Sequence, residues 1–275
     1  MLKLNQSVTP TQITHGQRLW LYALVALILA FLIIPCLIVI PMSFSASQYL
    51  EFPPREWSLR WYRAYLGSSE WMAATWMTFK VALVATILST VFGTLAAYAL
   101  AQAKGGLAKL VEGLLMLPML VPIILVAVGV FFVYSRTGLN NSITGLILAH
   151  TVLAMPFVLI AVGNGLQGFD MNQEMAARSL GASRPWAFLT VTLPQLKLSI
   201  CSGALFAFIA SFDEVVVALF IVGGDSSTLP RKMFANIRDQ IDPTVAAVST
   251  LMIGLSIVLL VAMQYIKKQE GAQQG

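Results

Sequence analysis

Six stretches of this 275-residue chain are apolar over about twenty residues or more, the length a helix needs to cross ~30 Å of hydrocarbon. Lipid offers no hydrogen bonds, so each such stretch must satisfy its own backbone, and helices do that within one segment. The runs lie at about 19–41, 73–101, 111–134, 142–166, 197–222 and 244–266. They predict an all-α polytopic membrane protein of about six transmembrane helices. A transmembrane domain over 19–266 would leave a short segment 1–18 and a tail 267–275. Composition agrees: 58% of residues are hydrophobic and 11% charged, against about 25% charged in soluble domains.

The first run begins after Lys3, His15 and Arg18, and is longer than the roughly 7–15-residue core of a signal peptide. It reads as a retained anchor. Small residues recur inside the spans, as in Gly93-Thr94-Leu95-Ala96-Ala97 and Gly203-Ala204-Leu205-Phe206-Ala207. Such residues let membrane helices approach closely, which favours a packed bundle. Pro118, Pro122 and Pro156 also fall within spans, where kinks require neighbouring helices or a cavity to satisfy the freed backbone. Cys36 and Cys201 sit in apolar runs, without the spacing of a disulfide framework or a metal site. The formal net charge of +5 is spread along the loops, so it argues for no nucleic-acid partner.

With the amino terminus inside, nine lysines and arginines fall in inner segments and seven in outer ones. The outer loops 42–72 and 223–243 are longer and weigh less, so both termini are expected in the cytoplasm. Loop 42–72 carries Trp57, Trp61, Tyr62, Tyr65 and Trp71, which suits a short helix lying at headgroup level or a contact with an external partner.

The longest inner connection is 167–196. Asp170 or Asn172 can cap a helix carrying Glu174 in its first turn, and Ala176, Ala177 and Leu180 give it a small apolar face. Gly181 can end that helix in a left-handed turn, and Ser183 with Pro185 can start a second one. The result is a compact knob. Here the chain resembles the permeases of binding-protein-dependent ABC importers, whose cytoplasmic signature reads E-A-A, three residues, G, nine residues, I, one residue, L-P. Ala176, Ala177, Gly181, Val191, Leu193 and Pro194 fall on it in register. The usual glutamate position holds Met175, and Glu174 precedes it. The resemblance implies a type I importer permease (MetI-like) bundle whose knob, through Glu174, Ala176, Ala177, Gly181, Leu193 and Pro194, docks on a separate ATP-binding subunit.

Lys80, Asp213 and Glu214 stand out as ionisable residues inside the spans, where each costs on the order of 2.5–3.5 kcal/mol at mid-helix. Lys80 lies roughly 10 Å and Asp213 roughly 14 Å below the outer edge, so a neutralising Lys80–carboxylate pair is one reading. Adjacent helical residues point about 100° apart, so the second carboxylate is free to line a cation pathway. The runs Ser211–Phe220, Thr228–Phe234 and Asp242–Thr250 resemble the second permease of spermidine/putrescine importers. That branch also carries other amino-group solutes, and it implies a polyamine or related organic cation as cargo. Asp213 is then either a pathway or a packing residue. His150 has a bland reading as a hydrogen-bonded membrane histidine.

The chain has no G-x-x-x-x-G-K-[ST], and Gly223-Gly224-Asp225-Ser226-Ser227 lacks the lysine. ATP and magnesium would therefore belong to a partner. The resemblance implies a second permease, two ATP-binding subunits and an external solute-binding protein. An enzyme would need a nucleophile–base pair or metal cluster at bilayer depth, and His15 and His150 are far apart. A stand-alone secondary transporter would more often show repeats, and no clear one is present.

Overall fold

The computed structural model describes residues 19–239 and 242–271, leaving aside the side chains of residues 225, 263 and 265–271. The expected segment 1–18 and residues 272–275 of the expected tail lie outside the described residues. Among the described residues no strand forms, and a single antiparallel bridge joins Ser45 to Trp57. Helices run in the order α1 (Leu19–Met42), α2 (Arg60–Gly67), α3 (Ser69–Gln102), α4 (Gly106–Leu120), α5 (Ile123–Thr137) and α6 (Ile143–Gln167). There follow α7 (Asn172–Ser179), α8 (Arg184–Ala187), a π-helical turn Phe188–Thr192, α9 (Leu193–Gln195) and α10 (Lys197–Phe212). The chain closes with α11 (Val216–Ile221), α12 (Leu229–Asp239) and α13 (Thr244–Gly271).

α3, α6 and α10 pack together as the centre of the bundle. Their crossing is built on missing side chains. A Cβ on Gly93 of α3 would lie 2.8 Å from Val158 Cβ, and one on Gly203 of α10 would lie 3.0 Å from Val158 Cα. Both flanking helices thus close on one valine of α6, which is why small residues recur there. Around this point Ala97, Ala154, Val158, Val162, Leu196 and Ala207 form one buried cluster. A second cluster holds Val81, Ala127, Leu146, Ala149, Val217 and Ile221, and a third gathers Tyr65, Trp71, Leu229, Val245 and Val248. α1 has no buried residue and touches the rest through α13, as suits a helix solvated by lipid.

Four helices are long and apolar enough to cross a membrane singly: Leu19–Met42, Ser69–Gln102, Ile143–Gln167 and Thr244–Ala262. The two remaining spans depart from the continuous helices expected at 111–134 and 197–222. Gly106–Leu120 and Ile123–Thr137 meet at 105°. Pro122 causes this break, since it has no N–H to donate and its preceding residue, Val121, is held extended at ψ 136°. Pro156, by contrast, is buried within an unbroken α6. In the other span, α10 stops at Phe212 and α11 restarts at Val216, while Arg184–Gln195 meets Lys197–Phe212 at 76°. Finally, the helical backbone of α13 runs on to Gly271, past the expected start of the tail.

The aromatics of loop 42–72 divide. α2 is the short amphipathic helix expected, but Tyr65 and Trp71 are core residues stacked edge to face, and Tyr65 shares a 2.7 Å hydrogen bond with Thr75. The Tyr62 hydroxyl lies 2.7 Å from that of Ser43. Trp57 stays 69% exposed, so it retains the character of an interfacial or partner-facing residue.

Candidate functional site

At one end of the bundle, residues 170–195 form the knob. Asp170 Oδ1 accepts the Asn172 N–H at 3.0 Å, starting α7, whereas the Ser183 hydroxyl makes no cap for α8. α7 ends in a complete Schellman motif. The Ala182 N–H donates to the Ala177 carbonyl and the Gly181 N–H to that of Arg178, with Gly181 at φ 97°. A residue with a Cβ is strained at that angle.

Glu174 is 2% exposed, the deepest charged group of the knob. Its two oxygens accept the Tyr98 hydroxyl at 2.6 Å and the Thr192 hydroxyl at 2.7 Å. Tyr98 belongs to α3 and Thr192 to the π turn, so this carboxylate ties α7 to the central bundle and to the start of α10. Tyr98 also packs on Phe188 with ring centroids 4.4 Å apart. Arg184 bonds Gln102, and Gln195 donates to Gln173 at 2.6 Å, adding two further ties. The outward surface mixes large apolar and polar groups: Leu180 is 91% exposed, and it lines an open hollow with Ala177, Gly181, Ala182, Ser183, Trp186 and Thr190. Of the residues singled out on the motif, Ala176, Ala177, Gly181, Leu193 and Pro194 stand at or near the surface, and Glu174 is an internal anchor.

At the break between α10 and α11, Asp213 and Glu214 diverge as their adjacency requires. Asp213 closes α10, its N–H bonded to the Ile209 carbonyl at 3.1 Å, and its side chain is exposed. Glu214 is buried, accepting the N–H groups of Val217 and Ala218 at 2.7 and 3.0 Å. A carboxylate there satisfies the orphan donors of α11 and opposes its positive end. His150 of α6 lies fully inside, with Nε2 3.5 Å from Glu214 and Nδ1 2.8 Å from the Ser211 hydroxyl. Sequence reading left His150 and Ser211 without a role, because only the fold brings α6 to the break. The far end of α11 is also held: the Asn141 N–H donates to the Ile221 carbonyl at 2.7 Å, and Asn141 Oδ1 accepts the Gly223 N–H at 3.1 Å.

Lys80 forms no ion pair with Asp213 or Glu214. Its neighbour Phe79 takes the side of α3 facing α10, packing on Phe208 and Phe212, so Lys80 is turned away into the exposed surface, 6.0 Å over the Trp76 ring. The expected neutralising pair is therefore absent. Lys80 and Glu214 both stand apart from the groove between α6 and α10, and Asp213 alone of the three shares a helix face with its lining residues.

That groove, about 480 Å³, runs between α6 and α10 and is lined by Phe157, Ile160, Asn164, Ser199, Ser202 and Phe206, among others. The heptad spacing of Ser199, Phe206 and Asp213 puts all three on one face of α10. A stripe with aromatic walls, hydroxyls, an amide and a terminal carboxylate can solvate an amphipathic cation along its length.

Known proteins with comparable sequences or folds agree on one kind of molecule. The family described as "Binding-protein-dependent transport system inner membrane component" matches residues 89–269. The spermidine/putrescine transport system permease protein PotC of Haemophilus influenzae is 31% identical over 90% of this chain and 96% of its own length. The putrescine transport system permease protein PotI of Escherichia coli K12 is 28% identical over 91% and 92% of the two chains. Among solved structures, a bacterial ABC transporter involved in importing the acidic polysaccharide alginate superposes with a TM-score of 0.70 at 16% identity, covering 95% of this chain and 99% of that one.

Proposed function

The chain belongs to the binding-protein-dependent transport system inner membrane components, and from that premise we propose that it carries spermidine, putrescine or a related organic cation. It is a transport subunit of an importer and not an enzyme. The observation that bears most on the cargo is Asp213, an exposed carboxylate sharing a face of α10 with the amphipathic groove, left unneutralised by Lys80. The identity with PotC and PotI, each named for polyamine transport, supports the same class. The alginate importer shows that this fold also moves anions, so side chains in the pathway set the choice.

In this reading the chain pairs with a second permease, and the pathway runs between them. The knob faces the cytoplasm, as do both termini, and its exposed Leu180 and Trp186 surface seats in one of two ATP-binding subunits. ATP and magnesium bind there, and a solute-binding protein delivers cargo at the opposite face. Closure of the nucleotide subunits pushes on α7, and the Glu174 tie passes that push to α3 and α10. For this to drive transport, the inward- and outward-facing states must differ in affinity for ATP and for the loaded binding protein.

Uptake of labelled putrescine and spermidine by cells with and without the intact operon tests the cargo. Asp213→Asn is expected to raise the KM for either amine about tenfold or more, since a hydrogen bond to a charged group contributes about 1.5–3 kcal/mol. ATPase assembly should survive. Unchanged uptake kinetics in the variant would remove Asp213 from the pathway.

A further inference from the structure

The groove between α6 and α10 does not end at Asn164. A second cleft of about 370 Å³ opens towards the knob, between α3, α4 and α6, and it shares Ile160 and Asn164 with the first. Its polar lining comes from Glu112 of α4 together with Asn164 and Gln167 of α6. The rest is apolar, with Leu100, Met116 and Leu159 among the walls. Glu112 lies about 9 Å along α4 from its first residue, the one acid of a helix with no buried residue, and Lys109 precedes it by three residues nearer the knob end. Lipid is a costly neighbour for such a carboxylate even towards the edge of a span, where the penalty is smaller than at the bilayer centre. Glu112, Asn164 and Gln167 are all exposed, yet they converge on one cleft instead of scattering over the lipid-facing surface. A water-filled cleft, sharing Ile160 and Asn164 with the groove, would relieve the cost for all three.

We propose that Glu112, Asn164 and Gln167 form an ammonium-binding station at the knob end of the groove, where an alkylammonium cargo pauses before release. The proposal rests on the reading of this chain as a cation importer and adds a second site to it. A primary ammonium offers three donors and one positive charge. Glu112 supplies the opposing charge, the two amide carbonyls accept the remaining hydrogens, and Leu159, Ile160 and Met116 lie against the methylene chain. Asp213, on the α10 face that lines the groove but two turns beyond Phe206, gives the path a second, separate carboxylate, so a cation can leave one before it is bound tightly by the other.

The test uses the assembled transporter in inside-out membrane vesicles, with Cys36→Ser and Cys201→Ser removing both native thiols. In that background, Asn164→Cys should react with the cationic reagent 2-aminoethyl methanethiosulfonate, and putrescine should slow the reaction several-fold without ATP. In uptake, Glu112→Gln should raise the half-saturating concentration about tenfold, and Glu112→Asp should recover most of the loss. Capture of the loaded binding protein should be unaltered, which a misfolded variant would not allow. A thiol at 164 that never reacts faces lipid or the second permease, and overturns the station. So does Glu112→Gln with wild-type kinetics, or labelling that putrescine does not slow. Wild-type uptake alongside either result leaves the cargo reading standing, whereas a wild-type assembly that moves no amine sinks the cargo reading itself.

Discussion

Glu174 stands one residue ahead of the place where the importer signature usually carries its acid, yet its side chain is buried and doubly bonded to Tyr98 and Thr192. A carboxylate at Met175 could not make these contacts, since that position is exposed on another side of α7. Replacing Glu174 by Ala strands two hydroxyls, and each unsatisfied buried group costs about 1–3 kcal/mol. We expect a lower melting temperature for the purified permease and weaker co-purification of the ATPase; a variant that matches wild type in both would deny Glu174 its tie. Residue-level roles in the membrane were harder to foresee. Depth along the chain placed Lys80 and Asp213 at one level, but depth says nothing of azimuth, and Phe79 claims the side of α3 that faces α10. Glu112 went unremarked because it sits at the very start of the expected span, and His150 because its partners Ser211 and Glu214 are distant in sequence.

Among the elements, the knob was the most legible. Its signals are local: Gly181 demands a left-handed turn, Asp170 starts α7, and Pro194 lies just past the π turn that leads into α10. Gly181→Asp places a Cβ at φ 97°, at a cost of roughly 1–2 kcal/mol, and brings a charge to the hollow beside Leu180. Uptake should be lost while the chain still inserts in the membrane, as read by transport assay and membrane fractionation; normal uptake would remove the knob from coupling. The broken spans were less legible. Val121 and Pro122 are apolar, so a hydropathy average passes over the 105° turn, and Pro156 shows that a proline within a span need not break it. Small residues carried a truer signal, because Gly93 and Gly203 each meet Val158 where no larger side chain fits.

For the molecule as a whole, an all-helical membrane bundle followed from the spacing of apolar runs alone, because lipid leaves the backbone so few alternatives; four helices cross singly, and the count of six holds if each bent pair is one span. Sidedness follows from weaker information, the thin excess of basic residues on one side. A cysteine at Leu180, on the knob, should react with an impermeant maleimide only in inside-out vesicles, and one at Tyr49 only in intact spheroplasts. The reverse pattern would invert the topology and place the knob away from any ATPase. The short α11 brings a mechanical result. It is fastened at one end to α6 through His150 and Glu214, and at the other to the loop that precedes α6, so it is part of a fixed wall. Only three residues separate it from α10, a rod about 24 Å long. The knob end of α10, tied to α3 through Glu174, is the end farthest from that anchor: a tilt of about 10° about it would carry the knob end by about 4 Å.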